Sequence, residues 1–267
     1  MNRPSGPAPG HGRVVAIANQ KGGVGKTTTA VNLATAFAAA GRRVLLIDMD
    51  PQGNASTSLG VALGDRNPGV TELLEGRTAP ADATRSTLVD DLHLVPATSG
   101  LARVDEAHPQ TDAGHLGSAV AAFRTTHTDI FFDCPPSFGW LTLGALAVAD
   151  GVIIPLQCEF LPMEGLAQAL ETIELVRAGP NRNLALDGVL LTMIDARTNL
   201  ARDVERDVRE HLRSKVFRTE IPRSVRVAEA PSAGEPVLLY DRNSPASQAY
   251  VSLARELLTH EAYRMRP

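Results

Sequence analysis

Gln20-Lys21-Gly22-Gly23-Val24-Gly25-Lys26-Thr27-Thr28 is the stretch on which the reading of this chain turns. The chain holds three lysines among its 26 basic residues, and two of them lie in this one glycine-rich loop. An apolar, β-like run, Val14-Val15-Ala16-Ile17-Ala18, precedes the loop, and a helical pattern from Lys26 to Ala40 follows it. Strand, glycine loop and helix in that order are the setting a phosphate-binding loop requires. The glycines let backbone N–H groups approach phosphate oxygens, and the helix N-terminus adds partial positive charge. In such a loop Lys26 reaches the β- and γ-phosphates and the Thr27 hydroxyl holds Mg²⁺.

The rest of the chain repeats the alternation. Apolar runs suited to strands fall at Arg13–Ala18, Arg43–Asp48, Leu92–Val95, Asp129–Asp133, Gly151–Leu156 and Gly188–Met193. Helical patterns fall at Lys26–Ala40, Val70–Glu75, His115–Thr125, Leu141–Ala149, Met163–Arg177, Leu200–Arg213 and Pro245–His260. Continuous Val/Ile/Leu strands separated by helices predict an α/β fold, a doubly wound and mostly parallel sheet with helices on both faces. Loops after the strands then gather at one edge, where ligands bind. The polar stretch Gly76–Asp91 shows no period and predicts a surface excursion.

With 267 residues and 43% hydrophobic content, one domain from residue 13 to 260 can bury a large core. The Pro/Gly-rich residues 1–12 predict a flexible tail, not a signal peptide, and residues 261–267 a short C-terminal tail. Only two cysteines occur, Cys134 and Cys158, both in apolar surroundings, which suits a reducing compartment. No run is long enough to span a membrane. The net charge of −4 does not advertise a nucleic-acid binder, yet Arg177 to Arg226 carries eleven Lys/Arg against seven Asp/Glu. A local basic face is compatible with that distribution.

Two more strand ends carry carboxylates. Ile47-Asp48-Met49-Asp50-Pro51-Gln52-Gly53-Asn54 delivers two, which strand alternation sends to opposite faces. Phe131-Phe132-Asp133-Cys134-Pro135-Pro136 delivers one, the arrangement in which an aspartate holds Mg²⁺ or its water shell. Cys134 reads as a small buried hydrophobe.

Together these stretches resemble the ParA/Soj type of partitioning ATPase, within the ParA/MinD class of P-loop ATPases. Lys21-Gly22-Gly23-Val24-Gly25-Lys26-Thr27-Thr28 is similar to that class's deviant Walker A motif, and Gln20 replaces the ordinary motif's first glycine. The resemblance implies that Lys21 reaches the phosphates of a nucleotide bound by a partner subunit, so that ATP is sandwiched in a homodimer. By the same resemblance, Asp50 supports the attacking water and Asp48 lies nearer the Mg²⁺ shell. The run Pro155-Leu156-Gln157-Cys158-Glu159 through Leu161-Pro162-Met163-Glu164-Gly165-Leu166 resembles a family segment in which Glu164 would touch the ribose of the partner's nucleotide. A helix-start carboxylate facing the helix dipole is the competing reading. Leu191-Thr192-Met193-Ile194-Asp195-Ala196-Arg197-Thr198 and Ile221-Pro222-Arg223-Ser224-Val225-Arg226 resemble chromosomal ParA/Soj segments. There Met193 and Pro222 would lie near adenine, and Arg197, Arg223 and Arg226 would help form a non-specific surface for double-stranded DNA. A solvated basic rim is the alternative.

The resemblance implies an ATPase using ATP and Mg²⁺ that segregates chromosome or plasmid DNA. It also implies a ParB-type centromere-binding protein that stimulates hydrolysis, and a cytoplasmic, nucleoid-associated location. Three other classes are weaker. A MinD-like ATPase positioning another cargo ends in an amphipathic basic helix, and the terminal Glu261–Pro267 is too short for one. An iron-protein-like reductase needs cluster cysteines in exposed loops. A sequence-specific repressor needs a helix-turn-helix, which the dozen residues before the loop do not provide.

Overall fold

The computed structural model describes residues 12–106, 113–158, 162–195 and 199–259. Seven strands form one sheet: β1 (Arg13–Ile17), β2 (Val44–Asp48), β3 (Arg85–Ser86), β4 (Leu92–Val95), β5 (Asp129–Asp133), β6 (Gly151–Gln157) and β7 (Ala185–Thr192). Their spatial order is β3-β4-β2-β5-β1-β6-β7, and every pairing is parallel except β3 with β4. The doubly wound sheet expected from the sequence is therefore present. The stretch Gly76–Asp91 lies at the surface, as expected, but carries structure of its own. It holds a short helix, Pro80–Ala83, and the antiparallel edge strand β3. Two residues are too few to show a period, so that strand is set by its partner and not by its own pattern.

Alternation along the strands divides the core in two. Val14 and Ala16 of β1 and Leu45 and Ile47 of β2 face one apolar cluster, with Leu116, Leu141 and Ala169 from helices. Val15, Ile17, Val44 and Leu46 face the other, with Val31, Phe37, Tyr250 and Leu253. The long helices are α1 (Lys26–Ala39), α2 (Ala113–Arg124), α3 (Trp140–Val148), α4 (Pro162–Ala178), α5 (Asn199–Leu212) and α6 (Pro245–Thr259). α1 and α6 cover one face, and α2, α3 and α4 the other.

The two edges of the sheet differ in chemistry. At the N-terminal edge, buried or half-buried ion pairs fasten strands: Arg13 to Asp187 at 2.5 Å, Arg42 to Asp129 at 2.5 Å, and Arg124 to Asp150 through bonds of 2.8 and 2.9 Å. Asp150 also accepts the Val14 N–H at 2.9 Å. Each of these three carboxylates has a cationic partner. At the C-terminal edge, β1, β2 and β5 end together, with Ile17, Asp48 and Asp133 in register. The chain reverses its winding direction about β1, so this edge holds the crevice expected of a doubly wound sheet.

Candidate nucleotide site

The glycine loop leaves β1 and enters α1 with the backbone only glycine adopts readily. Gly23 has φ 74° and Gly25 φ 87°, both left-handed. Gly25 caps α1 without a side-chain bond, so the helix's first N–H groups have no side-chain acceptor and are available to an anion. Two braces hold the loop. Asn19 donates to the Pro155 carbonyl at 2.7 Å and accepts the Lys21 N–H at 3.0 Å, tying the loop's start to β6. The Thr192 hydroxyl donates to the Val24 carbonyl at 2.9 Å, tying its far side to β7.

Lys26 is buried, at 6% exposure, and its ammonium donates to the Lys21 carbonyl at 2.9 Å. Burial lowers its pKa, against the opposing pull of Asp133, Cys134 and Asp50. Lys21 itself is exposed, as are Gly22 and Gly23. Thr27 and Thr28 are half-buried at the first turn of α1.

Asp133, at the end of β5, has no exposed surface, and neither carboxylate oxygen has a hydrogen-bond partner. Burial drives its pKa well above the ordinary carboxylate range, and the Asp48 carboxylate adds to the shift. The Thr27 hydroxyl lies near enough to oppose that shift, but outside hydrogen-bond geometry. A buried, unpartnered carboxylate is costly unless something pairs with it. Oxygen ligands from one aspartate and one threonine beside a phosphate cradle are the donor set that suits Mg²⁺, which keeps several waters and binds through few protein ligands. The residues present fit that ion.

Asp48 is also fully buried, but its Oδ2 accepts from the Ser56 backbone at 2.8 Å and the Ser56 hydroxyl at 2.6 Å. Its Oδ1 accepts from the Asp50 N–H at 3.3 Å. Burial still raises its pKa to about 6, against the Ser56 bonds. These bonds tie Asp48 to the turn that carries Asp50, with both oxygens accepting hydrogen bonds. Asp50 is nearly buried, and its Oδ1 accepts the Gln52 N–H at 2.9 Å. Strand alternation left the two residues free to differ, and their hydrogen bonds do differ.

Beyond the phosphate loop, β7 ends at Thr192 and Met193 turns away with φ 53°. The Met193 methyl lies 3.8 Å from the position a Cβ on Gly25 would take. Ile194 pairs with Pro222, and backbone bonds of 3.0 Å join Ile194 N to the Ile221 carbonyl and Arg223 N to the Ile194 carbonyl. Met193 thus lies beside the loop, and Pro222 is joined to the residue that follows it. Glu164 lies in the first turn of α4, and its side chain is outside the described residues, as is Arg197. Arg223 is exposed. Arg226 is exposed and ion-paired, to Glu229 at 2.9 Å and Asp241 at 3.4 Å.

Both cysteines are buried. Burial raises the Cys134 thiol pKa far above normal and pushes Cys158 up to about 12, so neither offers the exposed thiolate a bridging cluster needs. Asn19, Ser56 and Thr192 escaped the sequence reading. Only Asn19, directly before the loop, carried a local signal; the other two act across 8 and 168 residues of chain.

An AAA domain profile matches residues 12–186. The chain is 50% identical over 256 residues to the chromosome partitioning protein ParA of Caulobacter vibrioides, covering 94% of this chain and 96% of that one. It is 46% identical to the sporulation initiation inhibitor protein Soj of Bacillus subtilis, covering 92% and 98%. The chain belongs to the ParA/Soj family of partitioning ATPases. Among solved structures it is similar to a Mycobacterium smegmatis protein described as cobyrinic acid a,c-diamide synthase with ADP and magnesium. That match has a TM-score of 0.82 and 37% identity, over 93% of this chain and 95% of that one. It is also similar to the septum site-determining protein MinD of Pyrococcus horikoshii with Mg-ADP, with a TM-score of 0.76 and 25% identity over 92% and 96%. Among the described residues no helix is long and apolar enough to cross a membrane.

Proposed function

We infer that this protein is a Mg²⁺-dependent ATPase that moves chromosome or plasmid DNA by cycling between a monomer and an ATP-bound dimer. The observation that carries the reading is the unpartnered Asp133 carboxylate beside Thr27 and the buried Lys26, at the mouth of a glycine loop with two left-handed glycines. The glycine-loop N–H groups and Lys26 bind the phosphates. Thr27 and Asp133 would hold Mg²⁺, which would supply positive charge to offset that of the phosphates. Asp50 orients the attacking water from a turn that Asp48 and Ser56 keep rigid. Met193 and Pro222 flank the adenine side.

Lys21 is exposed and its backbone carbonyl already receives Lys26, so its side chain is free to leave the loop toward a second protomer. Glu164 would meet the ribose there. Closure of that dimer brings two copies of Arg197, Arg223 and Arg226 to one duplex, giving affinity through phosphates without base readout. A ParB-type protein stimulates hydrolysis, and loss of the γ-phosphate releases the dimer. The protein then works in the cytoplasm, on the nucleoid. The test is duplex DNA binding with ATP, ADP and no nucleotide. Binding of scrambled duplexes that requires ATP supports the reading. No binding in any state would transfer the site to an ATPase carrying a different cargo, as in the MinD-like alternative.

A further inference from the structure

The turn that carries Asp50 is braced by Asp48 and Ser56, and a second brace reaches it from a buried cation. Arg66 follows the short turn Leu63–Asp65 and is 6% exposed. Among the described residues no carboxylate pairs with it. Its guanidinium bonds to neutral oxygens instead: Nε donates to the Val61 carbonyl at 3.2 Å and Nη2 to the Thr57 hydroxyl at 2.8 Å. That hydroxyl donates onward to the Gly53 carbonyl at 3.1 Å. Nη1 lies against Gly53, where any Cβ would overlap it. Gly53 in turn donates its N–H to the Asp50 carbonyl at 2.8 Å, and the Gln52 N–H reaches Asp50 Oδ1 at 2.9 Å. A continuous set of contacts therefore joins Arg66, through Thr57 and Gly53, to Asp50.

Burying a guanidinium away from any carboxylate is costly, and a hydrocarbon of similar volume would fill the same space without that cost. Bulk is thus not what this position uses arginine for. A planar fork with donors on three nitrogens fixes directions as well as distances. Here it aims the Thr57 hydroxyl, because a hydroxyl that accepts from Nη2 keeps its own proton for the Gly53 carbonyl. Gly53 closes the turn that Asp50 begins, so its two backbone bonds set the pose of that turn.

We propose that Arg66 is a positioning residue for ATP hydrolysis, which holds the Asp50–Gly53 turn through Thr57 and Gly53 so that the Asp50 carboxylate keeps one orientation. Its role rests on that of Asp50 as the residue that orients the attacking water. Arg66 acts on the turn and not on the phosphates, so its loss lowers turnover and spares nucleotide binding.

The experiment measures single-turnover hydrolysis at saturating Mg-ATP, ATP affinity and ATP-dependent dimerisation in the full chain. Arg66→Met is expected to slow turnover about tenfold or more, since a small misplacement of a reacting group is costly. Its ATP affinity should stay within about twofold of the parent, and its dimerisation should not change. Thr57 is exposed, so its variants fold whatever the tolerance of position 66. Thr57→Val removes the hydroxyl that links Arg66 to Gly53 and should slow turnover about threefold or more, while Thr57→Ser, which keeps the hydroxyl, should restore the parental rate. In an Asp50→Ala background, Arg66→Met should cause no further slowing, because the two residues act as one unit. Parental turnover in Arg66→Met or in Thr57→Val overturns the proposal. Equal slowing of the parent and of Asp50→Ala overturns it too, as does a joint loss of ATP affinity and turnover in Arg66→Met. Parental turnover in Asp50→Ala overturns both this role and the reading of Asp50. A slow Asp50→Ala beside a parental Arg66→Met defeats the role of Arg66 alone.

Discussion

Asp48 and Asp133 stand opposite one another in register at the ends of β2 and β5, and only Asp48 has its carboxylate satisfied. Burial raises the pKa of both carboxylates; the Asp48 charge adds to the shift of Asp133, and the Asp50 charge to that of Asp48. Ser56 quiets one. The other has no partner, which is why the proposed function gives Asp133 the metal and Asp48 the turn.

Asp133→Asn should therefore leave the nucleotide-free protein at least as stable as the parent, because an uncompensated buried acid is removed. Mg²⁺-dependent ATP binding should be lost in the same variant. Thermal melts with and without Mg-ATP check both halves. A nucleotide-free protein destabilised by more than about 1 kcal/mol would show that the carboxylate has native partners.

Asp48 makes a prediction about pH. Its folded pKa is about 6 against an ordinary 3.8, so the fold favours its protonated form. That contribution is full below the unfolded value and is lost as pH rises through 6. His127 works the other way: its folded pKa of about 4 lies below the ordinary 6.5, so its contribution is lost as pH falls through that window. The two partly cancel in the parent. Urea unfolding of parent and Asp48→Asn from pH 4.5 to 7.5 separates them. The stability difference, parent minus variant, should fall by on the order of 2 kcal/mol across the range. A difference that stays flat or rises would contradict the burial of this acid.

The two loop lysines should separate cleanly. Lys26→Ala removes the charge on the terminal phosphates and should abolish nucleotide binding. Lys21→Ala keeps the carbonyl that receives Lys26, so the loop holds its shape. That variant should bind ATP as a monomer and neither dimerise nor hydrolyse it. Isothermal titration with light scattering distinguishes the cases; ATP-dependent dimers of Lys21→Ala would end the sandwich reading.

Asp50→Ala should bind Mg-ATP and dimerise but turn over at least about tenfold more slowly, since positioning of the water is lost while the phosphate and metal contacts remain. Single-turnover hydrolysis at saturating ATP gives the answer, and a parental rate removes Asp50 from the chemistry.

Arg226 gives the DNA prediction a sharper form. Its guanidinium is held by Glu229 and Asp241, so its charge is partly spent before DNA arrives. Arg226→Ala should weaken DNA binding, and Glu229→Gln should strengthen it, with ATP affinity unchanged in both. Each effect should shrink as salt rises. Fluorescence anisotropy on scrambled duplexes over a salt series tests this, and an unaltered affinity for both variants would exclude Arg226 from the surface.

Much of this was legible in one dimension. The loop from Gln20 to Thr28 dictates its own conformation, because left-handed backbone at positions 23 and 25 is cheap only for glycine, and the chain has glycine at both. The expected strands Leu92–Val95 and Asp129–Asp133 match the observed ones end for end, because short buried runs bounded by polar residues define their own limits. β7 starts three residues before the expected Gly188, since Asp187 is a charged residue that only its pairing with Arg13 makes compatible with a buried strand. β3 was hidden because two residues have no period. The sequence by itself determined the parallel α/β sheet, the phosphate loop and the presence of three acids at strand ends, all of which rest on local backbone preference and hydrophobic period. Only the tertiary structure decided which acid is satisfied and which is not, that Arg226 is already paired, and that two histidines 34 residues apart meet edge to face. Those properties depend on which side chains meet across distant strands, and neither propensity nor period carries that information.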